Sequence, residues 1–211
     1  MSDPEEILSY WFRRGYDADA ETLRKQMMWW FCGKWEVDEE IAERFAPVLE
    51  KAIRGELNSW ADTPRGRLAL IIVLDQFSRS VCRGTPVAYA QDPRAQRLAL
   101  DGIDAEMDRD LTAAERLFFI LPLGHSENLT LQERPVRYWQ GEVADAPPHR
   151  RWWYEHNLYY AKGHRDVIAR FGRHPHRNEV LGRSSTPEEL EYLRDEVPVH
   201  KRAPPASPSG A

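Results

Sequence analysis

The chain has 211 residues, 42% hydrophobic and 30% charged, with a formal net charge of −5. That length supports one sizeable core and excludes disorder for most of the sequence, while the acidic balance argues against a sequence-independent nucleic-acid binder, which needs a basic face. Cys32 and Cys82 are too few for a disulfide framework, and the longest apolar run, Leu68 to Leu74, is far too short to span a bilayer.

The start, Ser2-Asp-Pro-Glu-Glu6, is acidic and lacks the apolar segment of a signal peptide, so a soluble cytoplasmic protein without a membrane partner is expected. One helical domain is expected over residues 1–196, followed by a flexible Pro/Ser/Ala-rich tail over 197–211.

Helix starts are written clearly. Asp3-Pro4, Thr63-Pro64, Thr85-Pro86, Asp92-Pro93 and Thr186-Pro187 each place a capping oxygen before proline at the first helical position. Asp3 with Glu6, Thr112 with Glu115 and Thr186 with Glu189 match the capping-box spacing. The first helix carries Ile7, Trp11 and Phe12 and is closed by Gly15. The next begins at Asp38, with Ile41, Phe45, Val48, Leu49, Ala52 and Ile53 on one face, bent or divided at Pro47 and stopped by Gly55.

Length favours a buried helix over a strand for Pro64 to Val81. Further helices are predicted over Pro93 to Ile103, Ala113 to Leu121, Glu127 to Gln140, Pro148 to Phe171 and Pro187 to Arg194, and no alternating strand pair stands out. The reading is an all-α, single-domain array of unequal helical hairpins.

Three segments carry the polar groups. On the buried helix a 100° step places Asp75, Gln76, Arg79 and Arg83 on one arc, read either as an Asp75–Arg79 pair on a solvated helix end or as an arginine fork for a carboxylate or phosphate. Leu121-Pro-Leu-Gly-His-Ser-Glu127 ends a helix at His125, Ser126 and Glu127. Ser126 there is read as a cap, and His125 with Glu127 as an acid–base pair or two ligands.

Trp153, His156, Asn157, Tyr160 and His164 share a helical arc, with His164 the better functional candidate. It leads into Arg170-Phe-Gly-Arg-His-Pro-His-Arg-Asn178, the densest cationic stretch of the chain. Arg170, Arg173, His176, Arg177 and Asn178 there suit an anionic ligand or an internal carboxylate. A metal is not expected, since His174-Pro-His176 lacks a defined third ligand, and no cofactor motif is present.

Read together with Gly55-Glu-Leu57, Trp60, Leu181-Gly-Arg183 and Ser185-Thr-Pro-Glu188, these motifs resemble the bacterial DUF924 family in order and nearly over the whole chain. The resemblance implies an all-α, tetratricopeptide-like fold and leaves the biochemical role open. Three positions depart from the family pattern: Ser78 where proline is frequent, Gly124, and His174 where an aromatic residue is common. The last makes His174 a poor choice for an essential ligand.

The leading expectation is a polar cleft, built from the three motifs, that binds a small anionic molecule or a peptide end. The runner-up is a hydrolase- or lyase-type enzyme using His125 or His164 as base, Glu127 or Asp75 to orient it, and arginines to stabilise developing charge. The third is a charge network that only locks helices together, with protein partners bound elsewhere.

Overall fold

The computed structural model describes residues 3–31 and 35–195; Cys32 and the expected tail at 197–211 lie outside the described residues. Every regular element among the described residues is helical, and the chain divides into two compact units, Met1–Pro122 and Leu123–Ala211.

The first unit opens with α1 (Pro4–Trp11), where Asp3 Oδ1 accepts the Glu5 N–H at 3.0 Å. Helix α1 ends at Trp11, four residues before the expected stop, and Gly15, at φ +75°, serves the turn that follows. A helix the sequence reading did not anticipate comes next, α2 (Ala20–Phe31), entered through Asp19 Oδ1, which accepts from Thr22 N at 2.7 Å. Two buried side chains of α2 cap α1: Trp30 Nε1 and Gln26 Nε2 donate to the Trp11 carbonyl at 2.9 and 3.2 Å.

Helix α3 (Trp35–Ile53) buries the expected stripe of Ile41, Phe45, Val48, Leu49 and Ala52 and runs unbroken through Pro47. At its centre the unit holds α4 (Pro64–Ile72), capped by Thr63 Oγ1 on Gly66 N at 3.2 Å. Residues Leu68 to Leu74 are wholly buried, which explains a sequence apolar on all sides.

The helix does not continue as a plain α-helix to Val81. It passes through a π-turn, Val73–Phe77, before α5 (Ser78–Val81). Helices α1, α3 and α6 (Asp92–Asp104) pack around this axis, and α7 (Ala113–Gly124) starts in the capping box of Thr112 and Glu115, their reciprocal bonds at 2.8 and 3.3 Å. Edge-on rings of Tyr10, Trp11, Phe12, Trp30 and Phe118 fill the space between elements.

The second unit is built on α8 (Leu129–Ala144) and α9 (Arg151–Phe171), which pack along each other as a hairpin and bury Trp139, Trp153, Tyr154 and Ala161. Asn128, not Ser126, caps α8, accepting from Thr130 N at 2.9 Å, so Ser126 and Glu127 sit ahead of the helix. Gly172, at φ +69°, terminates α9 as expected, its N–H reaching the Ile168 carbonyl. Beyond the loop, α10 (Pro187–Asp195) begins in the capping box of Thr186 and Glu189.

Candidate functional site

In the first unit the π-turn places Asp75, 1% exposed, against Arg79 on the next turn. Arg79 Nη1 lies 3.0 Å from Asp75 Oδ1 and Nη2 lies 2.9 Å from Asp92 Oδ1, so one guanidinium bridges two buried carboxylates. Burial works against the Arg79 charge, but Asp75 and Asp92 outweigh it and hold the guanidinium above its ordinary range. Gln76 Nε2 donates to Asp75 Oδ2 at 2.5 Å.

Asp92, expected to cap α6, instead occupies its first turn and turns its carboxylate to Arg79. Arg83 does not join this group. The helix ends at Val81, two residues short of it, and the Arg83 fork grips Asp38, with Nη2 to Oδ1 at 2.8 Å.

In the second unit the groups gather around the loop after α9. The rings of His125, from the end of α7, and His164, from α9, lie 6.4 Å apart. His164 lies 5.8 Å from His174, and His174 lies 5.3 Å from His176. His174 is buried to 1% exposure, while the other three are half-buried around it. Its Nε2 has no hydrogen-bond partner in the protein. Burial first, then Arg177 and the three surrounding histidines, push its pKa well below the usual imidazole range, so the ring is neutral at pH 7.

Two carboxylates fix the loop that carries these rings. Glu127 accepts the His174 backbone N–H at 2.8 Å and accepts from Arg183 Nη1 and Nη2 at 2.7 and 3.0 Å. Burial opposes its charge, but the Arg183 fork and the His174 N–H prevail and hold it below the usual carboxylate range, with Arg177 adding to the effect.

Glu189 accepts from Arg173 Nε and Nη2 at 2.6 and 2.8 Å, from Asn178 Nδ2 at 3.1 Å and from Thr186 N at 2.7 Å. Arg173 is the main cause that draws its pKa down to about 2. Arg170 pairs with Glu188 at 2.9 Å and lies over the Phe171 ring. Asn178 does not cap a following helix: its Oδ1 accepts Arg183 Nε at 3.0 Å and its Nδ2 reaches Ser185 and Glu189.

Of the five arginines nominated for a ligand, Arg79, Arg83, Arg170 and Arg173 are each engaged with a carboxylate of this chain, and Arg177 is buried to 6% exposure. Among the described residues no group of three or more His, Cys, Asp or Glu side chains is placed to hold a metal ion. His156 belongs to the packing of α9, stacked on Trp153 and tilted against Tyr160, and burial alone brings its pKa down to about 4.

A sequence profile described as bacterial protein of unknown function (DUF924) matches residues 7–196. The chain belongs to the DUF924 family. A solved structure of a protein of unknown function from Agrobacterium tumefaciens is similar to it, with 33% identity, 91% of this chain and 97% of that chain covered, and a TM-score of 0.73. No curated protein matches the chain.

In this DUF924 protein the histidines named from sequence, His125, His164 and His176, come together around His174. Glu127 faces the loop backbone and Arg183 in place of an imidazole. Sequence reasoning missed three organising residues: Asp92, hidden by a plausible capping role; Glu189, hidden by a capping box it does occupy; and Arg183, noted only as part of a motif. The signal available for Arg183 was its place beside the cationic loop, where a nearby carboxylate had to answer it. No helix among the described residues is long and apolar enough to cross a membrane.

Proposed function

We propose that the second unit binds a small anionic molecule, or the carboxylate end of a peptide, against the half-buried imidazoles of His125, His164 and His176. The observation that carries this reading is the contact chain of four imidazoles that includes a buried His174 whose Nε2 lacks a protein partner. An anion arriving among imidazoles favours their cationic form, because opposite charge stabilises the protonated ring. Arg177, close enough to act on both His174 and Glu127, adds positive potential.

Arg173 and Arg183 position the loop through Glu189 and Glu127, and His174 lies beneath the site as a neutral, buried ring rather than as a direct ligand. This division agrees with the sequence argument against His174 as an essential ligand.

Binding is therefore coupled to proton uptake. Sulfate is the discriminating probe because its charge is constant between pH 5 and 8. Calorimetric titration is expected to give tighter sulfate binding at pH 6 than at pH 7.5, with the enhancement lost in a folded His164→Asn, His176→Asn variant. Equal affinity at both pH values, or an unchanged response in the double variant, refutes the reading.

A hydrolase- or lyase-type enzyme is the second reading, favoured by the depressed pKa of His174, which keeps a base-competent imidazole beside the site at neutral pH. It requires turnover of a bound anion, lost together with binding in the same variant.

A further inference from the structure

The carbonyls on either side of His125 are both held by one side chain. Gln132, in the first turn of α8 and wholly buried, donates from Nε2 to the Gly124 carbonyl at 2.8 Å and to the Ser126 carbonyl at 2.7 Å. The Gly124 carbonyl belongs to the peptide that enters His125, and the Ser126 carbonyl to the peptide that leads on to Glu127. The two bonds bracket His125 and Ser126, and so fix the direction in which the His125 side chain leaves the backbone.

Packing does less at this point. Gly124 closes α7 without a side chain, and a Cβ added there would meet nothing within 4 Å beyond its chain neighbours and its own helix backbone. The backbone bond of the turn itself, from Ser126 N to the Leu123 carbonyl, is long at 3.3 Å. Both Gln132 bonds are shorter and lie in a buried place, where a hydrogen bond is stronger than in water.

The residue type matters as well. Carbonyl oxygens only accept, so the amide nitrogen must face them, and its two hydrogens serve one carbonyl each. A carboxylate here has no hydrogen to give, and asparagine is a methylene shorter. The far end of the amide is a cost: Gln132 Oε1 is buried and has no hydrogen-bond partner in the protein. The stability gained from the two bonds is thus partly offset, whereas the fixed position of the turn is not.

We infer that Gln132 is the positioning residue for His125: by holding both flanking carbonyls it keeps the His125 imidazole 6.4 Å from that of His164, where the two receive the same anion. The inference rests on the anion reading of the imidazole group and extends it to a residue outside the contact shell. His125 follows the end of α7 and His164 lies within α9, so the backbone at His125, and not a shared helix, sets their separation. A shift of about 1 Å at the turn is enough to spoil a shared contact.

The test is a double-mutant cycle of Gln132→Met with His125→Asn, read by calorimetric titration of sulfate at pH 6. Met keeps the length of the side chain and removes both donors, and circular dichroism checks the fold. Gln132→Met alone is expected to weaken sulfate binding about fivefold or more. In the His125→Asn background it should change affinity by less than about twofold, because the imidazole through which it acts is gone. Equal losses in the two backgrounds overturn the inference, since a residue that only supports the fold weakens binding whether or not His125 is present. If Gln132→Met does not fold, Gln132→Asn enters the same cycle with the same criterion.

A second readout needs no ligand. Histidine ring signals followed by NMR through a pH titration should show His125 displaced in Gln132→Met and His156, packed on Trp153, unchanged. Unmoved His125 signals in the folded variant overturn the positioning role. A displaced His125 in a protein that fails to bind sulfate supports that role and refutes the anion site instead, which keeps the two failures apart.

Discussion

Replacing Arg79 by Met tests whether the buried charge on the central helix is a structural centre. Arg79 is the cation set between Asp75 and Asp92, whose side chains are 1% and 8% exposed. Met keeps much of the aliphatic stem and removes the charge, so the loss is electrostatic rather than a cavity. Breaking a buried pair by removing one partner costs about 3–5 kcal/mol, because the remaining charge is left in a poorly solvated place. Gln76 supplies Asp75 with a neutral donor, which does not restore the missing charge.

The expected loss in urea denaturation at pH 7 is therefore about 3–5 kcal/mol. For a chain of this size that corresponds to roughly 6–20 °C in melting temperature. The loss should also depend on pH. The uncompensated negative charge is the source of the loss, so the destabilisation is greatest at neutral pH and shrinks in acid. Adding Asp92→Asn to the variant should recover part of the loss at pH 7. A loss below about 1 kcal/mol, the range of a solvated pair, or a loss that is the same at pH 7 and pH 4, would refute the argument.

Gly66→Ala should destabilise despite alanine's better helix propensity. A Cβ there would stand 2.3 Å from the Trp60 carbonyl oxygen and 2.8 Å from the Thr63 Oγ1 that caps the helix, so a cost of about 1–3 kcal/mol is expected in thermal or urea unfolding, and a stabilised variant would disprove it. Glu189→Gln should flatten the acid limb of stability. The wild-type carboxyl titrates near 2 folded and near the model-peptide 4.5 unfolded, so its contribution is present above pH 4.5 and is lost as pH falls from there toward 2. Urea midpoints measured between pH 7 and 3 should converge for the two proteins, and parallel curves would exclude Glu189 as the source.

What was legible in the sequence is what acts within about four residues. The capping boxes at Thr112 and Thr186, the caps at Asp3 and Thr63, and the Asp75–Arg79 pair all form as their spacing indicates. Helix α2 escaped notice because its inward face uses Gln26 and Trp30 to satisfy a carbonyl of α1, a role that apolar periodicity does not register.

The π-turn escaped for a related reason. A fixed 100° step assumes one hydrogen-bond pattern throughout, and the change at Val73–Phe77, with the helix end at Val81, removes Arg83 from the arc on which regular geometry placed it. The partners of the cationic groups lie far off in sequence, 45 residues for Arg83 and Asp38 and 56 for Arg183 and Glu127, beyond any local spacing rule.

That distribution of partners changes what the cationic loop is for. Composition alone makes Arg170 to Asn178 look like an anion trap, and a guanidinium is the stronger anion ligand than an imidazole at pH 7. Yet Arg170 and Arg173 are answered by Glu188 and Glu189, and Arg183 by Glu127, which also holds the His174 backbone. Charges neutralised in this way contribute geometry more than attraction. Imidazoles carry adjustable charge, and the site proposed on them would respond to pH in a range where one built on arginines would not. For that reason the pH dependence of sulfate binding, rather than its strength at any one pH, separates an imidazole site from an arginine site.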